Sequence, residues 1–324
     1  MGVLVLVVGF LLLCLLVRLV RSHGIPRYAA ALLLLVCLIA LTVGGYWTWF
    51  THRGQPVPLR EQWFQGISYE RVVVQSPRIL VVHVVRVDLR APGIELVFTP
   101  VPTATDLPLK AASVSTFLRE SKSQVAINAN FFYPFSADSP LSYYPHEGDP
   151  VQVAGIAAYQ GLVYQPYPFE APSDPAATFY VSEDGRPSFS PPADAPYNAI
   201  SGSAFLLRDG KIVTATKTIE PPLYPRAAVG LDESGSTLIL AVLDGKQPSY
   251  SLGATLPEFA ELLVRAGAFT AINLDGGGSS TLVRQAGGAN PARILISSPS
   301  NFRMPWWERP VANHLGIKAT ALPQ

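Results

Sequence analysis

Hydrophobic residues form two long runs within the first 50 positions and much shorter runs after them. The long runs extend from Val3 to Val17 and from Ala29 to Phe50. A helix of ~20 apolar residues crosses the ~30 Å hydrocarbon core of a bilayer. The pattern therefore predicts a membrane anchor, residues 1–50, built as a transmembrane helical hairpin with helices at about 3–20 and 29–50. The aromatic end of the second run matches an interfacial belt.

The loop between these two runs is basic, which predicts the orientation of the anchor. Its basic residues are Arg18, Arg21, His23 and Arg27. Loops rich in Lys and Arg stay in the cytoplasm, so the chain after Thr51 is expected on the extracytoplasmic side, periplasmic or extracellular. An alternative is that residues 1 to about 22 form a cleaved signal peptide, although a second hydrophobic segment follows at once. Both interpretations predict an exported domain.

Shorter β-branched runs and two helical patterns follow a segment at 51–66 that we predict to be a linker because it contains Pro56 and Pro58. Runs bounded by Pro and Gly predict strands, and apolar positions at helical spacing predict helices at Lys110–Lys122 and Thr255–Ala266. Since strands dominate and the helices are few and separate, the class expected for residues 67–320 is α+β, with a mixed or largely antiparallel sheet.

Charge and cysteine content exclude several classes of function. The formal net charge is +1 at pH 7, and the part after residue 50 has no run of Lys and Arg, so nucleic acid is not an expected partner. Cys14 and Cys37 both lie in the apolar runs, which leaves the remaining domain without a disulfide or a cysteine nucleophile. Metal-ligand spacing is not evident, so neither a metal nor another cofactor is expected, although carboxylates from distant segments can converge on a cation in the fold.

The most unusual string in the chain runs from Asn273 to Thr281 and contains three successive glycines. Glycines let main-chain N–H groups approach an anion closely, and Asp275 directly before them offers a carboxylate. Taken alone, however, Asp-Gly is also a common hairpin signal, and Gly-Gly-Gly-Ser-Ser is compatible with a flexible turn. Both interpretations stay open on the residues alone.

Four segments together resemble the phosphodiester glycosidase family. They are Ala271–Thr281, Ala126–Phe132, Pro225–Gly230 and Arg309–Asn313, and the resemblance covers roughly residues 70–318. It implies a hydrolase that cleaves the glycosidic bond of a sugar-1-phosphodiester and leaves a phosphomonoester, here on an envelope or extracellular glycan. Two departures limit the transfer: Asn130 stands where many members have Gly, and relatives can carry Ala at the place of Ser280.

The resemblance also implies roles for individual residues. Asp275 is expected to be the catalytic base or nucleophile, and Arg226 is expected to bind the phosphate, because a guanidinium group binds oxyanions in a bidentate manner. Asp244 is a candidate second carboxylate, with a turn as its alternative role. The other substrate-binding candidates are Asn128, which equally fits a role in fixing the loop, together with Asn130, Asn313 and the predicted anion nest of Gly276, Gly277, Gly278 and Ser279.

Two other functions remain open at this point. One is a binding module of the same fold that recognises a phosphate-linked cell-surface glycan without turnover. The other is an enzyme that transfers the sugar to an acceptor and so tailors an envelope polymer. The weakly matching region 134–197 is expected to determine substrate preference.

Overall fold

The computed structural model describes residues 7, 9–11, 13–15, 17–18, 26–102, 108–139, 142–164, 177–213, 223–286 and 293–322. The chain divides into two compact units. The first comprises Met1–Gln55 with Gln247–Tyr250, and the second comprises Pro56–Lys246 with Ser251–Gln324.

The first unit contains a long apolar helix, α1, at Arg27–His52. Its segment Tyr28–His52 is the one helix among the described residues that is long and apolar enough to cross a membrane. Such a helix near the N-terminus serves either as a membrane anchor or as a signal sequence. The other helix of the predicted hairpin, about 3–20, and its basic loop lie largely outside the described residues, so the hairpin stays a prediction.

The second unit is built mainly of strands. Its two helices among the described residues are α2 at Val114–Ser121 and α3 at Leu256–Arg265. The strands are β1 Leu59–Phe64, β2 Ile67–Val74, β3 Leu80–Asp88, β4 Glu95–Phe98, β5 Leu109–Lys110, β6 Val125–Asn128, β7 Phe132–Tyr133, β8 Ser136–Ser139, β9 Ser142–Tyr144, β10 Pro150–Val153, β11 Ala157–Tyr159, β12 Leu162–Tyr164, β13 Thr178–Val181, β14 Pro187–Ser188, β15 Asn198–Ser201, β16 Ala204–Arg208, β17 Lys211–Ile212, β18 Arg226–Leu231, β19 Thr237–Leu243, β20 Thr270–Asn273, β21 Leu282–Gln285, β22 Arg293–Leu295 and β23 His314–Lys318.

These strands form one large sheet and several smaller ones. The eight-stranded sheet has the order β1-β2-β3-β19-β18-β20-β16-β17. Two five-stranded sheets have the orders β22-β21-β6-β23-β4 and β12-β11-β15-β13-β14, and β5-β10-β7 and β8-β9 form two small sheets. Every pairing between named strands of the described residues is antiparallel. The expectation of a strand-dominated α+β domain with few helices is confirmed.

The main hydrophobic core lies between the eight-stranded sheet and the sheet that contains β6. Val85 and Val229 enter it from the former, whereas Ile127 and Leu315 enter it from the latter. On the opposite face of the eight-stranded sheet, α3 buries Phe259 against a second core. Helix α2 packs on the outer face of the sheet that contains β6, where it forms a smaller core. Two sheets, each covered by one helix, thus meet face to face.

Helix α3 shows how local sequence fixes an element of this fold. The Thr255 side chain accepts from the Glu258 backbone N–H, and the Glu258 side chain accepts from the Thr255 backbone N–H, which together form a capping box. Apolar residues at helical spacing then place Phe259, Ala260 and Leu263 on the buried side. The predicted helix is therefore confirmed, and it begins one residue later than expected.

The predicted linker at 51–66 is shorter than expected, because it contains both the end of α1 and strand β1. Three of the six residues of strand β1 are polar and none is β-branched, so its sequence lacks the pattern on which strands were predicted. Its last two residues, Trp63 and Phe64, are buried in the main core, and its pairing with β2 holds it in the sheet. Tertiary packing here outweighs intrinsic propensity.

Candidate functional site

The glycine-rich string forms a loop, Asp275–Thr281, that we call the signature loop. It leaves β20 in the eight-stranded sheet and enters β21 in the facing sheet. Hydrogen bonds tie it to the ends of other strands: the Asp275 N–H donates to Ala129 O at 2.9 Å, and the Gly277 N–H donates to Pro225 O at 2.9 Å. The loop is therefore held where the two sheets meet.

Two glycines of the signature loop are required by its geometry. Gly277 has a φ of 63°, a left-handed conformation that side chains rarely adopt. A Cβ atom on Gly278 would collide with the guanidinium group of Arg309. Main-chain carbonyls accept hydrogen bonds from the N–H groups of Gly277, Ser279 and Ser280, so these three N–H groups are already engaged within the protein. The expected anion nest at Gly276–Ser279 stays a prediction.

Asn128, at the end of β6, holds both ends of the signature loop. Its Nδ2 donates to Asp275 O at 2.7 Å, and its Oδ1 accepts from the Thr281 N–H at 3.0 Å. The residue is fully buried. Of the two roles open at the sequence level, the geometry favours fixing the loop over direct contact with a sugar.

Asn130 is the centre of a second set of buried hydrogen bonds, which its side-chain amide forms. Its Oδ1 accepts from the Ser201 N–H at 3.0 Å and from Asn313 Nδ2 at 2.9 Å. Its Nδ2 donates to Ala154 O at 3.1 Å and Ile156 O at 3.0 Å. We call Asn128, Asn130 and Asn313 the amide clamp. The structure engages them with protein groups beside the signature loop, and their contact with a substrate stays a prediction.

The carboxyl group of Asp275 is buried beside Ser279 and Arg309. Burial raises its pKa from 3.8 to about 6, while the Ser279 side chain, the charge of Arg309 and the Gly276 backbone oppose that rise. Burial dominates because a carboxylate loses more hydration than these contacts replace. A group with a pKa of about 6 is mostly ionised at neutral pH and still binds a proton readily.

Arg309 faces this carboxyl group and was not singled out as a site residue by the sequence. Its Nη1 donates to Ser279 Oγ at 3.2 Å and its Nη2 donates to Asn301 Oδ1 at 3.4 Å. The guanidinium carbon lies 4.0 Å from the ring centre of Phe135. Burial lowers the pKa of Arg309, and the charge of Asp275 partly restores it. Its position at the start of the Arg309–Asn313 segment, which carries part of the family resemblance, was the available signal.

Two more cations complete a group that we call the cationic cluster, consisting of Arg226, Lys246 and Arg309. Burial lowers the pKa of Lys246, and the charges of Arg309 and Arg226 lower it further. The Lys246 ammonium lies 4.0 Å from the ring centre of Tyr224, and the Arg226 guanidinium lies 5.6 Å from the same ring. Cations that repel one another across a site favour binding of an anion between them.

The hydrogen-bond partners of Asp244 are different residues from those around Asp275. Its Oδ2 is 2.9 Å from His83 Nε2, and its Oδ1 accepts from the Ser298 N–H at 2.7 Å. Tyr69 Oη lies 2.8 Å from His83 Nδ1. All three side chains are buried. The structure thus places Asp244 in an internal network, and its expected role toward a substrate stays a prediction.

The structure therefore brings together Asp275, Arg226, the signature loop and the amide clamp, and adds Arg309 and Lys246 to them. Within the described ranges, groups of three or more His, Cys, Asp or Glu residues that suit a metal ion are absent. One acid–base group, beside a hydroxyl and three cations, is suited to proton transfer and charge stabilisation on an anionic substrate. This arrangement is suited to holding an anionic group beside a side chain that can transfer a proton.

Comparison with known proteins identifies the family. The sequence model of the phosphodiester glycosidase family matches residues 121–318, which is more than half of the chain. The chain therefore belongs to the phosphodiester glycosidase family, as the resemblance predicted. A search of the curated proteins found no match.

Solved structures share the fold at low sequence identity. The catalytic domain of zebrafish N-acetylglucosamine-1-phosphodiester α-N-acetylglucosaminidase, auto-inhibited by its pro-peptide, is 24% identical, with a TM-score of 0.52 over 84% of this chain and 86% of that one. A hypothetical protein from Synechocystis is 19% identical, with a TM-score of 0.53 over 82% of this chain. The present chain spans 64% of the length of the Synechocystis protein.

Proposed function

We propose that the protein hydrolyses the glycosidic bond of a sugar-1-phosphodiester. The observation that carries this proposal is the buried carboxyl group of Asp275 next to Arg309, with Ser279 bonded to both. Membership of the phosphodiester glycosidase family supports the same reaction. A phosphodiester carries one negative charge and the phosphomonoester product carries up to two, so the cationic cluster suits the group that leaves.

Asp275 acts as the base in this mechanism. It accepts a proton from a water molecule, whose oxygen bonds to the anomeric carbon while the bond from that carbon to the phosphate oxygen breaks. The electron pair of the broken bond stays on the phosphate, which leaves as a phosphomonoester beside Arg309. Phosphate is a competent leaving group, so protonation by a strong general acid is less important here than in ordinary glycosidases.

The surroundings of Asp275 favour a single displacement over a covalent intermediate. Double displacement needs the carboxylate to attack the sugar and then a base to activate water. The charge that acts on the Asp275 carboxyl group is that of Arg309. Asp244, the candidate second carboxylate, is engaged with His83 and Ser298. We therefore propose inversion at the anomeric carbon, which NMR of the first sugar product would detect.

An assay of the full chain, purified in detergent, tests the reaction. Diesters of several sugar 1-phosphates with methanol are the substrates, and both the free sugar and methyl phosphate are measured. The proposal expects equal amounts of the two products without an acceptor. Product formation that depends on an added sugar acceptor would favour a transferase, whereas binding without turnover that survives Asp275→Asn would favour a binding module. Either result would overturn hydrolysis.

We also propose that an N-terminal helical hairpin anchors the catalytic domain on the extracytoplasmic side of a membrane. The length and apolar composition of Tyr28–His52 support one spanning helix, and the basic loop before it supports this orientation. A reporter fused after Gln324 is then active on the extracytoplasmic side. Reporter activity in the cytoplasm would contradict this orientation.

A further inference from the structure

Residues 297–304 follow β22, and we call them the strained turn. The beginning of this turn is tied to two neighbouring elements. The Leu282 N–H in β21 donates to Ser297 Oγ at 2.8 Å, and the Ser298 N–H donates to Asp244 Oδ1 at 2.7 Å. Because both hydrogen bonds are buried, they fix where the turn begins.

The strained turn contains two successive non-glycine residues in the left-handed region. Phe302 has a φ of 47° and Arg303 has a φ of 59°. Such conformations are costly for residues with a side chain, and they persist where the surrounding structure requires them, often at functional sites. Asn301 directly precedes these two residues, and the Met304 N–H donates to Asn301 O at 2.8 Å. The strained backbone therefore holds Asn301 in one place.

The side chain of Asn301 bridges two groups of the proposed site. It is 2% exposed. Its Nδ2 donates to Tyr143 Oη at 3.0 Å, and its Oδ1 accepts from Arg309 Nη2 at 3.4 Å. The Tyr143 hydroxyl is in turn hydrogen-bonded to Arg309. Asn301, Tyr143 and Arg309 thus form a closed set of three hydrogen bonds, which fixes the plane of the guanidinium group.

The groups that orient Arg309 are uncharged. They are the Ser279 hydroxyl, the Asn301 carbonyl oxygen and the Tyr143 phenol. The Nε–H of Arg309 is buried and has no acceptor among the residues that the structure describes. These contacts fix the direction of the guanidinium group and leave its positive charge uncancelled.

An aspartate at position 301 would bind Arg309 more strongly than the asparagine does. The two side chains have nearly the same shape, but a hydrogen bond from a guanidinium group to a carboxylate is shorter and stronger than one to an amide. Such an ion pair would also cancel the charge of Arg309. The amide at position 301 therefore favours anion binding over stability of the fold.

We propose that Asn301 is a positioning residue that orients Arg309 toward the phosphate of the substrate and keeps the charge of Arg309 available to that phosphate. Asn301 acts through Arg309 and does not itself contact the substrate. The inference rests on the proposed function for the identity of the anion, and it adds a residue that determines the affinity for that anion.

The first arm of the experiment compares Asn301→Asp with the wild type in the full chain. Its Tm should rise, because the new carboxylate pairs with Arg309. Its KM for the methyl diester of a sugar 1-phosphate should also rise, by about tenfold, because that carboxylate repels the phosphate. A purely structural role predicts no such opposition between stability and affinity.

The pH profile of the same variant gives a second readout. Arg309 and Asp275 act on each other by charge, and Tyr143 also acts on Arg309. Arg309 lowers the pKa of Asp275, and a carboxylate at position 301 would oppose that effect. The acidic limb of kcat should therefore move to higher pH in Asn301→Asp. It should not move in Asn301→Ala, which removes the hydrogen bonds without adding a charge and should lower Tm and raise KM.

The control is Asn198→Asp on β15, since Asn198 Oδ1 accepts from the Gln160 N–H rather than from a cation. This variant should keep the wild-type KM and pH profile, and its Tm should not rise.

The second arm needs no turnover and so separates this proposal from the proposed reaction. Calorimetry at pH 7.5 measures the binding of inorganic phosphate to the wild type, Asn301→Asp and Asn198→Asp. We expect saturable binding to the wild type and the control, and about tenfold weaker binding to Asn301→Asp. That result supports the role of Asn301 even if no diester is hydrolysed. Absence of phosphate binding to the wild type, equal affinity in Asn301→Asp, or a lower Tm in Asn301→Asp would each overturn the proposal.

Discussion

The amide clamp and the cationic cluster lie on two sides of the same loop, yet they use their polar groups in opposite ways. In the amide clamp, both side-chain atoms of Asn128 and of Asn130 are bonded to protein groups. In the cationic cluster, neither Lys246 nor Arg309 forms an ion pair within 4.0 Å with a carboxylate among the residues that the structure describes. The fold satisfies the polar atoms of Asn128 and Asn130, whereas the positive charges of Lys246 and Arg309 can be balanced by a bound anion.

This difference separates structural from functional polar residues within one site. A buried amide with complete hydrogen bonding stabilises the loop and gains little from a substrate. Burial lowers the pKa of all three cations, and the charges of the two arginines lower that of Lys246 further, so the cluster costs stability until an anion binds. The position of a polar residue in the sequence does not reveal whether its role is structural or functional. Asn128 ends one buried strand and Arg226 begins another.

The largest expected effect concerns Asp275, which both sets surround. Asp275→Asn should lower kcat by about 10³- to 10⁴-fold, since an amide cannot accept the proton from water. In the wild type, kcat should fall below pH about 6, where Asp275 becomes protonated. Kinetics on the detergent-purified chain measure both. Asp232→Asn, in the turn between β18 and β19, is the matched control. If Asp275→Asn kept a tenth of the wild-type activity, Asp275 would not be the catalytic base.

The next prediction tests the amide clamp as a structural element. Asn128→Ala leaves Asp275 O and the Thr281 N–H without their partner in a buried site, so it should lower the free energy of unfolding by about 3–5 kcal/mol. Asn198→Ala, which removes one hydrogen bond from the Gln160 N–H, should cost about 1 kcal/mol. Urea denaturation measures both. If the two variants lost similar free energy of unfolding, the amide clamp would stabilise the fold no more than an ordinary hydrogen bond does.

The pH dependence of stability gives an independent measurement of the environment of Asp275. Because the folded protein holds this proton more tightly than the unfolded chain, its stabilising effect is complete below pH 3.8 and is lost as the pH rises to about 6. Relative to Asp275→Asn, the wild type should lose about 3 kcal/mol across that window. Denaturation of both proteins between pH 3.5 and pH 7.5 tests this. A constant difference between them would show that burial does not shift this pKa.

The smallest of these effects concerns Arg309. Arg309→Lys keeps the charge but loses the planar group that bonds Ser279 and Asn301, so kcat/KM should fall by about 10- to 100-fold while the fold persists. Arg208→Lys is matched to it, because Arg208 stacks on Phe205 at 3.7 Å much as Arg309 stacks on Phe135. Equal kcat/KM for the two lysine variants would show that Arg309 does not contribute to the site.

Sequence patterns predicted much of this fold because its strands and helices have strong local signals. Helix α3, predicted at Thr255–Ala266 and observed at Leu256–Arg265, is an example. Strand β1 was missed because its burial depends on pairing with β2 rather than on its own composition. The pattern also located Asp275 and the glycines, since a rare string carries them.

The cationic cluster was predictable only in part, because its members come from three separate segments. Arg226 and Arg309 each lie in a segment that carries the family resemblance, but Arg309 was not assigned a role there, and Lys246 follows a common Asp-Gly turn. Their proximity arises from the way in which the two sheets face each other, and Gly278 accommodates Arg309 without a local sequence signal for that contact. Likewise, the hydrogen bonds of Asp244 to His83 and Ser298 depend on contacts 161 and 54 residues apart.

Hydrolysis in water enriched with ¹⁸O tests the central claim most directly, because it identifies the bond that breaks. If Asp275 directs water to the anomeric carbon, the released phosphomonoester contains no ¹⁸O, and the label enters the sugar. Mass spectrometry of the phosphomonoester measures this within the first turnovers, before the free sugar exchanges oxygen with water. Label in the phosphomonoester would mean attack at phosphorus, and it would contradict the assignment of this protein as a glycosidase.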